Sequence, residues 1–387
     1  MADMSTDILI VGAGPAGLAT AIGLAERGVD FLIVDALHEA QNTSRAAVIH
    51  AATLEAMGKL GVSDRLVAQG IKVPHFRIRD RDSTLLHIDF SVLSSQTPYA
   101  LMIPQDESEQ ILIERLRELG HAVRRPVRLG SFEETGNGVR AICDGSDGRF
   151  TIDARYIVGA DGEKSTVRAG AGIDFPGDTY GSFLLADVRM DWPLSRDEVT
   201  LFFSEAGTLV VAPMSRDRYR VVAQFPGAPS EPSIDDVQRL IDTRGPRRGG
   251  RVREVLWGSR FQVHHKLADS FVRGRVLLVG DAAHVHSPAG GQGMNLGLRD
   301  AEALSGALAD AITRGSTAPL DTYAEARRAA AAEVLAMTDR LTRVATMTNP
   351  LKRWFRNRVI ATVGALPVIR RLVANTLAGF RSPGGNA

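Results

Sequence analysis

Short apolar segments alternate with helix-like segments in the first third of the chain and again near its C-terminal third. Four runs of aliphatic and β-branched residues, each followed by glycine or aspartate, predict buried strands of a parallel sheet: residues 7–11, 31–34, 155–158 and 276–279. Helical spacing of apolar residues follows several of these runs, as with Leu18, Ile22 and Ala25. This order of elements predicts an α/β fold.

A second type of pattern occupies residues 76–90 and 175–275. There, apolar and polar residues alternate over short segments, which predicts strands of a separate, largely antiparallel sheet. Residues 234–241 interrupt this region with a predicted helix, and residues 225–233 contain three prolines and predict a loop. From residue 318 the pattern is helical, broken at Pro350 and Pro367.

The composition of the chain bears on its cellular compartment and shows an uneven distribution of charge. The 387 residues are 44% hydrophobic and 24% charged, with one cysteine, Cys143, which excludes a disulfide framework. No targeting segment is apparent, so we expect a cytoplasmic protein. Residues 340–387 hold nine Lys/Arg and no Asp/Glu, which leaves 37 of the 46 basic residues against all 45 acidic residues. A basic tail of this kind is typical of segments that bind a membrane surface or an acidic partner, or that form a dimer contact. We favour a solvated helix face, and we expect no nucleic-acid binding.

The first glycine-rich turn has the spacing of a dinucleotide-binding fingerprint. Gly12-Ala13-Gly14-Pro15-Ala16-Gly17 follows the first predicted strand directly, and Asp35 ends the second strand 18 residues after Gly17. Such glycines allow a tight turn and a close approach of pyrophosphate to the backbone, and the acid takes ribose hydroxyls. The motif alone does not distinguish FAD from NAD.

Two further strand ends carry Gly and Asp. Residues 159–168 read GADGEKSTVR, and residues 280–295 read GDAAHVHSPAGGQGMN. Asp281 stands where a carboxylate can accept ligand hydroxyls, the loop glycines leave backbone bare for a flat ring, and a helix starting near Met294 favours an anion. The alternatives are an ordinary strand–turn–helix crossover and a surface turn.

These three motifs together resemble those of the single-component FAD-dependent aromatic hydroxylases, typified by para-hydroxybenzoate hydroxylase, over roughly residues 5–345. The resemblance implies a Rossmann-like FAD-binding domain (GR2-type) with an inserted mixed β-sheet substrate domain and C-terminal helices. The implied FAD-binding parts are residues 1–72, 100–175 and 272–345, the substrate-domain parts are 73–99 and 176–271, and the helical segment is 346–387. The family usually has Glu at the position of Asp35, and many members have an arginine before Thr53.

The resemblance also implies residue roles. Arg45 and Pro288 would lie at the reactive part of the flavin, and Gln105 would contact the ribityl chain. The other implied cofactor contacts are Gly12, Ala13, Gly14, Pro15, Ala16, Gly17, Asp35, Asp161, Asp281, Gly291, Gly293, Met294 and Asn295. An apolar pocket with Phe183, Val211, Pro213, Met214 and His286 would hold the substrate. No metal site is expected, because the histidines lack further ligands at suitable spacing.

The implied reaction is hydroxylation of an aromatic, phenolic or polycyclic, small molecule with O2 and NADPH or NADH through a flavin C4a-hydroperoxide. No second GxGxxG is present, so the nicotinamide cofactor would bind transiently. A flavin reductase that saturates a double bond and a non-catalytic flavin-bearing carrier remain alternatives. The protein would be a monomer or homodimer, with Trp354, Phe355, Val359, Ile360 and Leu366 packed on the FAD domain or on a second subunit.

Overall fold

A computed structural model describes residues 4–39, 46–214, 217–287, 290–345, 347 and 349–380. Arg45 and Pro288 lie outside these ranges. The helices are α1 (Pro15–Ala25), α2 (Ala51–Gly58), α3 (Ser63–Gln69), α4 (Gln105–Glu118), α5 (Thr166–Gly170), α6 (Ile234–Arg244), α7 (Gly293–Arg314), α8 (Ala318–Ala345), α9 (Pro350–Val363) and α10 (Pro367–Leu377).

The strands alternate with these helices early in the chain and dominate its middle. They are β1 (Met4–Val11), β2 (Phe31–Val34), β3 (Val48–Ile49), β4 (Ile71–Val73), β5 (His75–Asp80), β6 (Ser83–Asp89), β7 (Ala100–Met102), β8 (Val127–Glu134), β9 (Val139–Gly145), β10 (Gly148–Gly159), β11 (Gly177–Asp191), β12 (Glu198–Ser204), β13 (Gly207–Pro213), β14 (Arg218–Gln224), β15 (Arg251–Leu267), β16 (Val272–Arg273), β17 (Val276–Leu278) and β18 (His284–Val285).

The first sheet places the three glycine–aspartate motifs at one edge. Its main path is β16-β17-β10-β1-β2, with β8 and β9 continuing from β10. β1 runs parallel to β2 and β10, and β10 runs parallel to β17. Val11 is level with both Val34 and Gly159, and Gly159 is level with Leu278. The carboxyl ends of the strands therefore meet, where ligands bind in open α/β sheets.

The second sheet has the order β18-β15-β11-β14-β13-β12-β5-β6 within the described residues. The predicted antiparallel pair in residues 76–90 is confirmed as β5 and β6. The sheet is mixed, because β12 pairs with β5 in parallel and joins two segments that are distant in sequence. One side of this sheet is covered by α6, whose Val237, Leu240 and Ile241 are buried in an apolar core.

A third, small sheet has the order β3-β7-β4. Its Leu101 belongs to the core of the first sheet, and its Met102 packs in a cluster with Ala212 of the second. Sequence patterns did not predict β3 or β4, because strands of two and three residues are too short to show an alternation. The α/β class with an FAD-type sheet and a second mixed sheet is confirmed.

The C-terminal helices pack differently from the prediction. Trp354, Phe355, Val359 and Leu366 are exposed, so these side chains do not pack on the FAD domain, and their packing on a second subunit stays a prediction. The buried face of α9 and α10 instead contacts β6 of the second sheet. Ile360 joins the apolar cluster there, and the carbonyl of Ala378 accepts a hydrogen bond from the Ala52 N–H. Ile360 therefore lies on the inner face of α9, whereas Trp354, Phe355 and Val359 lie on its outer face.

Candidate active site

The turn after β1 is closed by two glycines that leave no room for a side chain. Gly12 has a φ of +103°, and a Cβ there would lie 2.3 Å from the Ala160 carbonyl oxygen. A Cβ on Gly17 would lie 2.0 Å from the Gly12 carbonyl oxygen. At Gly14, in contrast, no atom lies within 4 Å of the position that a Cβ would take. The N-terminus of α1 therefore faces open space, where its N–H groups and dipole favour an anion such as pyrophosphate.

Asp35 is fixed beside this turn. Its Oδ2 accepts a hydrogen bond of 2.7 Å from the Ala13 N–H, and its Oδ1 accepts one of 2.8 Å from the Leu37 N–H. The guanidinium of Arg125 lies 3.8 Å from the same carboxylate and donates to the Ala13 carbonyl at 3.3 Å. A carboxylate has about four acceptor sites, so Asp35 retains capacity for ribose hydroxyls.

Asp161 caps the start of α5 with its own oxygens. Oδ1 accepts from the Ser165 hydroxyl, while Oδ2 accepts from the backbone N–H groups of Thr166 and Val167. Burial raises the pKa of Asp161, and these hydrogen bonds oppose that rise. The side chain therefore fixes the shape of the turn, and its implied cofactor contact stays a prediction.

Arg168 joins the second motif to the third. Its Nη1 donates to the Ala282 carbonyl at 2.9 Å, and its Nη2 donates to the Glu163 carbonyl at 2.7 Å. The guanidinium also lies 3.9 Å from the centre of the Phe175 ring. Ala282 belongs to the short 3-10 turn Gly280–Ala282. The same turn carries Asp281, which is exposed. Arg168 thus positions the backbone beside Asp281, the carboxylate predicted to accept ligand hydroxyls.

The glycine loop before α7 is tied to β3 by Asn295. Its Nδ2 donates to the carbonyls of Val48 and Gly291, and its Oδ1 accepts from the His50 N–H at 2.7 Å. Gly291 has a φ of +63°, and a Cβ there would lie 2.2 Å from Val48 Cγ1. The buried side chain of Asn295, which the resemblance implied as a cofactor contact, thus fixes the loop.

His50 and Gly293 complete this loop. His50 Nε2 lies 2.8 Å from the Gly290 carbonyl oxygen, and burial lowers the pKa of His50 to about 4. The imidazole is therefore neutral near pH 7 and donates to that carbonyl. Gly293 and Met294 form the first residues of α7, which is 22 residues long, so the N-terminal end of a long helix dipole lies at the loop.

Gln105 holds the start of the segment that begins at residue 46. Its Oε1 accepts a hydrogen bond of 3.1 Å from the Ala46 N–H, and its Nε2 donates to Glu109. On the other side of this segment, Arg220 Nη1 donates to the Ala46 carbonyl at 2.9 Å. Residue 46 is therefore held by the FAD-type sheet region and by the second sheet, directly beside Arg45.

Arg220 is itself held by a buried ion pair across the second sheet. Its Nε and Nη2 donate to the two oxygens of Asp187 at 2.8 and 2.9 Å. Arg218 donates to the same carboxylate at 2.8 Å. Arg220 and Asp187 are 3% and 1% exposed, so a guanidinium is fixed in a nearly dry environment facing residue 46.

The predicted pocket residues separate onto two faces. Val211 packs in the core under α6 with Val237 and Leu240, so its predicted contact with substrate is corrected. Side chains alternate along a strand, so Pro213 at the end of β13 lies on the side of Val211, and its substrate contact stays a prediction. Met214 belongs to the apolar cluster that contains Ala47 on the other face.

Phe183 and Leu184 show the same division on β11. Leu184 lies in the core under α6, and Phe183 therefore projects to the face of Asp187. The Phe183 ring lies 5.8 Å from that of Phe261, centre to centre. The face of the second sheet that approaches residue 46 therefore carries the aromatic ring of Phe183, the thioether of Met214 and the Asp187–Arg220 ion pair.

Two histidines of the third motif differ in their environments. His284 Nε2 lies 2.6 Å from Asp300 Oδ2, and Arg327 donates to the other oxygen of Asp300. Burial alone would raise the pKa of Asp300, but Arg327 and His284 hold it below its ordinary value. His286 is hydrogen-bonded through Nδ1 to the Ser287 carbonyl, and its buried Nε2 has no partner among the described residues. Burial lowers the pKa of His286 to about 4.

Sequence patterns missed Arg168, Arg220, Asp187 and His50. A usable signal existed for the ion pair, because Asp187 and Arg220 each stand next to apolar residues, in the segments LLADV and YRVVA. Such residues are buried only when they are paired. Among the residues that the structure describes, no group of three His, Cys, Asp or Glu side chains is placed to hold a metal ion.

The site fits an extended dinucleotide. Along one sheet edge lie the start of α1, the carboxylate of Asp35 and the start of α7 at a glycine loop. We call this sheet edge, from the start of α1 to the start of α7, the dinucleotide cradle. At Gly14 a side chain would fill part of its space. These features match the pyrophosphate, ribose and ring of FAD in that order.

Comparisons with known proteins agree with this geometry. A family model described as an FAD-binding domain matches residues 5–338. The chain is 36% identical to 6-methylpretetramide 4-monooxygenase of Streptomyces rimosus, over 93% of this chain and 69% of that protein. The crystal structure of p-nitrophenol 4-monooxygenase from Pseudomonas putida superposes with a TM-score of 0.86 at 25% identity and covers 100% of both chains. Aklavinone-11 hydroxylase, solved with FAD and aklavinone, has a TM-score of 0.76 at 28% identity and covers 91% of this chain and 71% of its own.

Proposed function

Because the chain belongs to the family of FAD-dependent aromatic hydroxylases, we propose that it hydroxylates a phenolic or polycyclic aromatic compound with electrons from NADH or NADPH. The observation that carries this proposal is the pairing of two surfaces. The dinucleotide cradle of the first sheet lies next to a face of the second sheet with apolar side chains and the buried Asp187–Arg220 pair.

FAD would bind along the edge of the first sheet. We propose that α1 receives the pyrophosphate, Asp35 the adenosine ribose, and Asp281 and Gln105 the ribityl chain. The turn residues Ala13, Pro15 and Ala16 would line this path. The loop with Gly291, Gly293, Met294 and Asn295 would border the ring, and Arg45 and Pro288 would lie at its reactive part.

The bound flavin supplies hydride acceptance and the activation of O2. The chain supplies electrostatics and exclusion of water. The N-terminal N–H groups of α7 stabilise negative charge at the loop. His50 stays neutral near pH 7, because burial lowers its pKa to about 4. The buried guanidinium of Arg220 fixes the Ala46 carbonyl, and residue 46 follows Arg45 directly in the sequence. Fixed dipoles in a dry site need little reorganisation during reaction.

The substrate would lie on the face of the second sheet that approaches residue 46. We propose Phe183 and Met214 as apolar contacts and His286 as a polar contact through Nε2. Residues 73–99 and 176–271 would form the substrate domain, and the other parts, with the boundaries given above, the FAD domain. The named relatives act on polycyclic or phenolic compounds, which supports this substrate class. None of them is named as a reductase or a carrier, so we do not propose those functions.

The test is a screen of NADH and NADPH consumption by the FAD-loaded protein against phenols and fused-ring phenols. We expect ligand-stimulated consumption and a product heavier by one oxygen atom. Met214→Ala should change the relative rates among substrates, because Met214 lies on the proposed pocket face. Met190→Ala is the matched control, because Met190 is equally buried but packs under α6. Equal effects of both variants on substrate preference would contradict the assigned pocket.

A further inference from the structure

The C-terminal helices concentrate the exposed apolar surface of the described chain. Of the large hydrophobic side chains that are exposed, eight lie between residues 351 and 372. They are Leu351 (80% exposed), Trp354 (62%), Phe355 (64%), Val359 (41%), Val363 (40%), Leu366 (54%), Val368 (78%) and Leu372 (44%). An exposed apolar concentration of this kind marks an interaction surface.

This surface lies on the outer faces of two helices that are anchored by their inner faces. On α9, Arg356 is buried and donates to the Val344 carbonyl, and Arg353 is buried and paired with Glu205. On α10, Ala374 and Leu377 pack into the cluster with β6. The outer apolar residues are therefore presented by a fixed scaffold.

The same outer faces carry positive charge without acidic residues. Lys352, Arg358, Arg370 and Arg371 are exposed, and no Asp or Glu occurs from residue 340 to the end. The Arg358 guanidinium lies 5.5 Å from the centre of the Trp354 ring, one helical turn away. A tryptophan next to a cation is suited to a boundary between apolar and aqueous phases.

We propose that α9 and α10 bind the surface of an anionic phospholipid membrane, with Trp354, Phe355 and Leu351 entering the headgroup boundary. Amphipathic helices with aromatic and aliphatic residues beside Lys and Arg bind membranes in this way. The geometry excludes a straight crossing by this pair, because α9 and α10 are long and apolar enough for a span only when taken together, and the chain bends by 102° between them. Among the described residues, no single helix is long and apolar enough to span a membrane.

The charge pattern favours lipid over a second copy of this chain. A twofold contact through this surface would place the same patch against itself. Each copy would bring Lys352, Arg358, Arg370 and Arg371, and neither would bring a carboxylate from the tail to balance them. An anionic lipid surface instead complements these charges and accepts the apolar side chains.

The experiment measures flotation of the FAD-loaded, full-length protein with vesicles. One vesicle is phosphatidylcholine, and the other is an equal mixture of phosphatidylcholine and phosphatidylglycerol. We expect binding to the mixed vesicles, little binding to the neutral ones, and weakening by salt. Trp354→Ser with Phe355→Ser, and separately Arg358→Glu with Arg371→Glu, should each reduce binding by roughly tenfold or more.

Matched controls lie on α6. Ile234→Ser removes an apolar side chain that is 43% exposed, and Arg239→Glu reverses a charge on a side chain that is 65% exposed. Both should bind vesicles as the unchanged protein does. If a tail variant fails to fold, the dependence of the unchanged protein on lipid charge and salt decides the question.

Three results would overturn the proposal. The first is no binding of the unchanged protein to the mixed vesicles at low salt. The second is unchanged binding by both tail variants. The third is a dimer, seen by sedimentation without lipid, that Trp354→Ser with Phe355→Ser dissociates while vesicle binding is absent; that result would assign the surface to a second copy.

Discussion

Arg168 donates a hydrogen bond of 2.9 Å to the carbonyl of Ala282, so a side chain of one glycine–aspartate motif fixes the backbone of the other. The two residues are 114 positions apart in sequence. Their contact joins the ends of β10 and β17 through the turn that follows each strand. The position of Asp281 is therefore set partly by a residue that belongs to a different motif.

Replacing Arg168 with methionine should loosen this connection. The change removes charged donors from the carbonyls of Ala282 and Glu163 and leaves both carbonyls without these partners. We expect a loss of about 2–3 kcal/mol in the free energy of unfolding and weaker FAD binding. Urea unfolding and FAD titration measure the two effects. Arg149→Met, at an exposed arginine of the β9–β10 hairpin, should change neither; equal effects at both positions would exclude a special role for Arg168.

Two glycines of the first motif should respond differently to alanine. In Gly17→Ala, the new Cβ would meet the Gly12 carbonyl at 2.0 Å, so α1 must shift and the apoprotein must lose stability. In Gly14→Ala, the Cβ would enter open space, so the apoprotein should lose less than about 1 kcal/mol, the scale of an N-cap change. FAD affinity should nevertheless fall in Gly14→Ala, because the proposed pyrophosphate site is narrowed. Unchanged FAD affinity in Gly14→Ala would place the pyrophosphate elsewhere.

Asn295→Ala should disorder the glycine loop. The side chain makes three buried hydrogen bonds, to the carbonyls of Val48 and Gly291 and from the His50 N–H. Each unmade bond of this type costs about 1–3 kcal/mol, so we expect a large fall in the unfolding temperature and release of flavin on dilution. Asn375→Ala is the control, since that amide lies on the exposed side of α10 and bonds one carbonyl. A yellow, stable Asn295→Ala protein would contradict this role.

His50 should make stability depend on pH. Its folded pKa of about 4 lies below the ordinary value of 6.5, so the unfolded chain binds more protons between these values. The contribution of neutral His50 is present above pH 6.5 and is lost as pH falls towards 4. Between pH 7 and pH 5 the loss should be about 2 kcal/mol. His50→Gln keeps a donor to Gly290 but does not titrate, so its unfolding free energy should fall less over this range; equal slopes would remove His50 as the cause.

Much of the first sheet and its cradle could be predicted from sequence. The spacing of Gly12, Gly14, Gly17 and Asp35 determines local geometry, because each position has a steric or hydrogen-bonding requirement within a short segment. The predicted second sheet was also found, including the β5–β6 pair. These features depend on neighbours close in sequence.

The second face of the site could not be predicted in the same way. Whether Val211 or Met214 approaches residue 46 depends on strand register, and a shift by one residue exchanges the two faces. The pairing of Asp187 with Arg220 depends on which strands are neighbours. The exposed face of α9 likewise depends on its contact with β6, which the helical pattern of Trp354 and Ile360 does not specify.

A flavin monooxygenase takes the oxygen atom of its product from O2. The measurement is turnover of the FAD-loaded protein with NADPH or NADH and an accepted phenol under isotope-labelled O2, followed by mass analysis of the product. We predict one labelled oxygen atom in a new hydroxyl group on the aromatic ring. Consumption of NAD(P)H that yields an unlabelled product, or a product with a saturated double bond, would contradict monooxygenase activity.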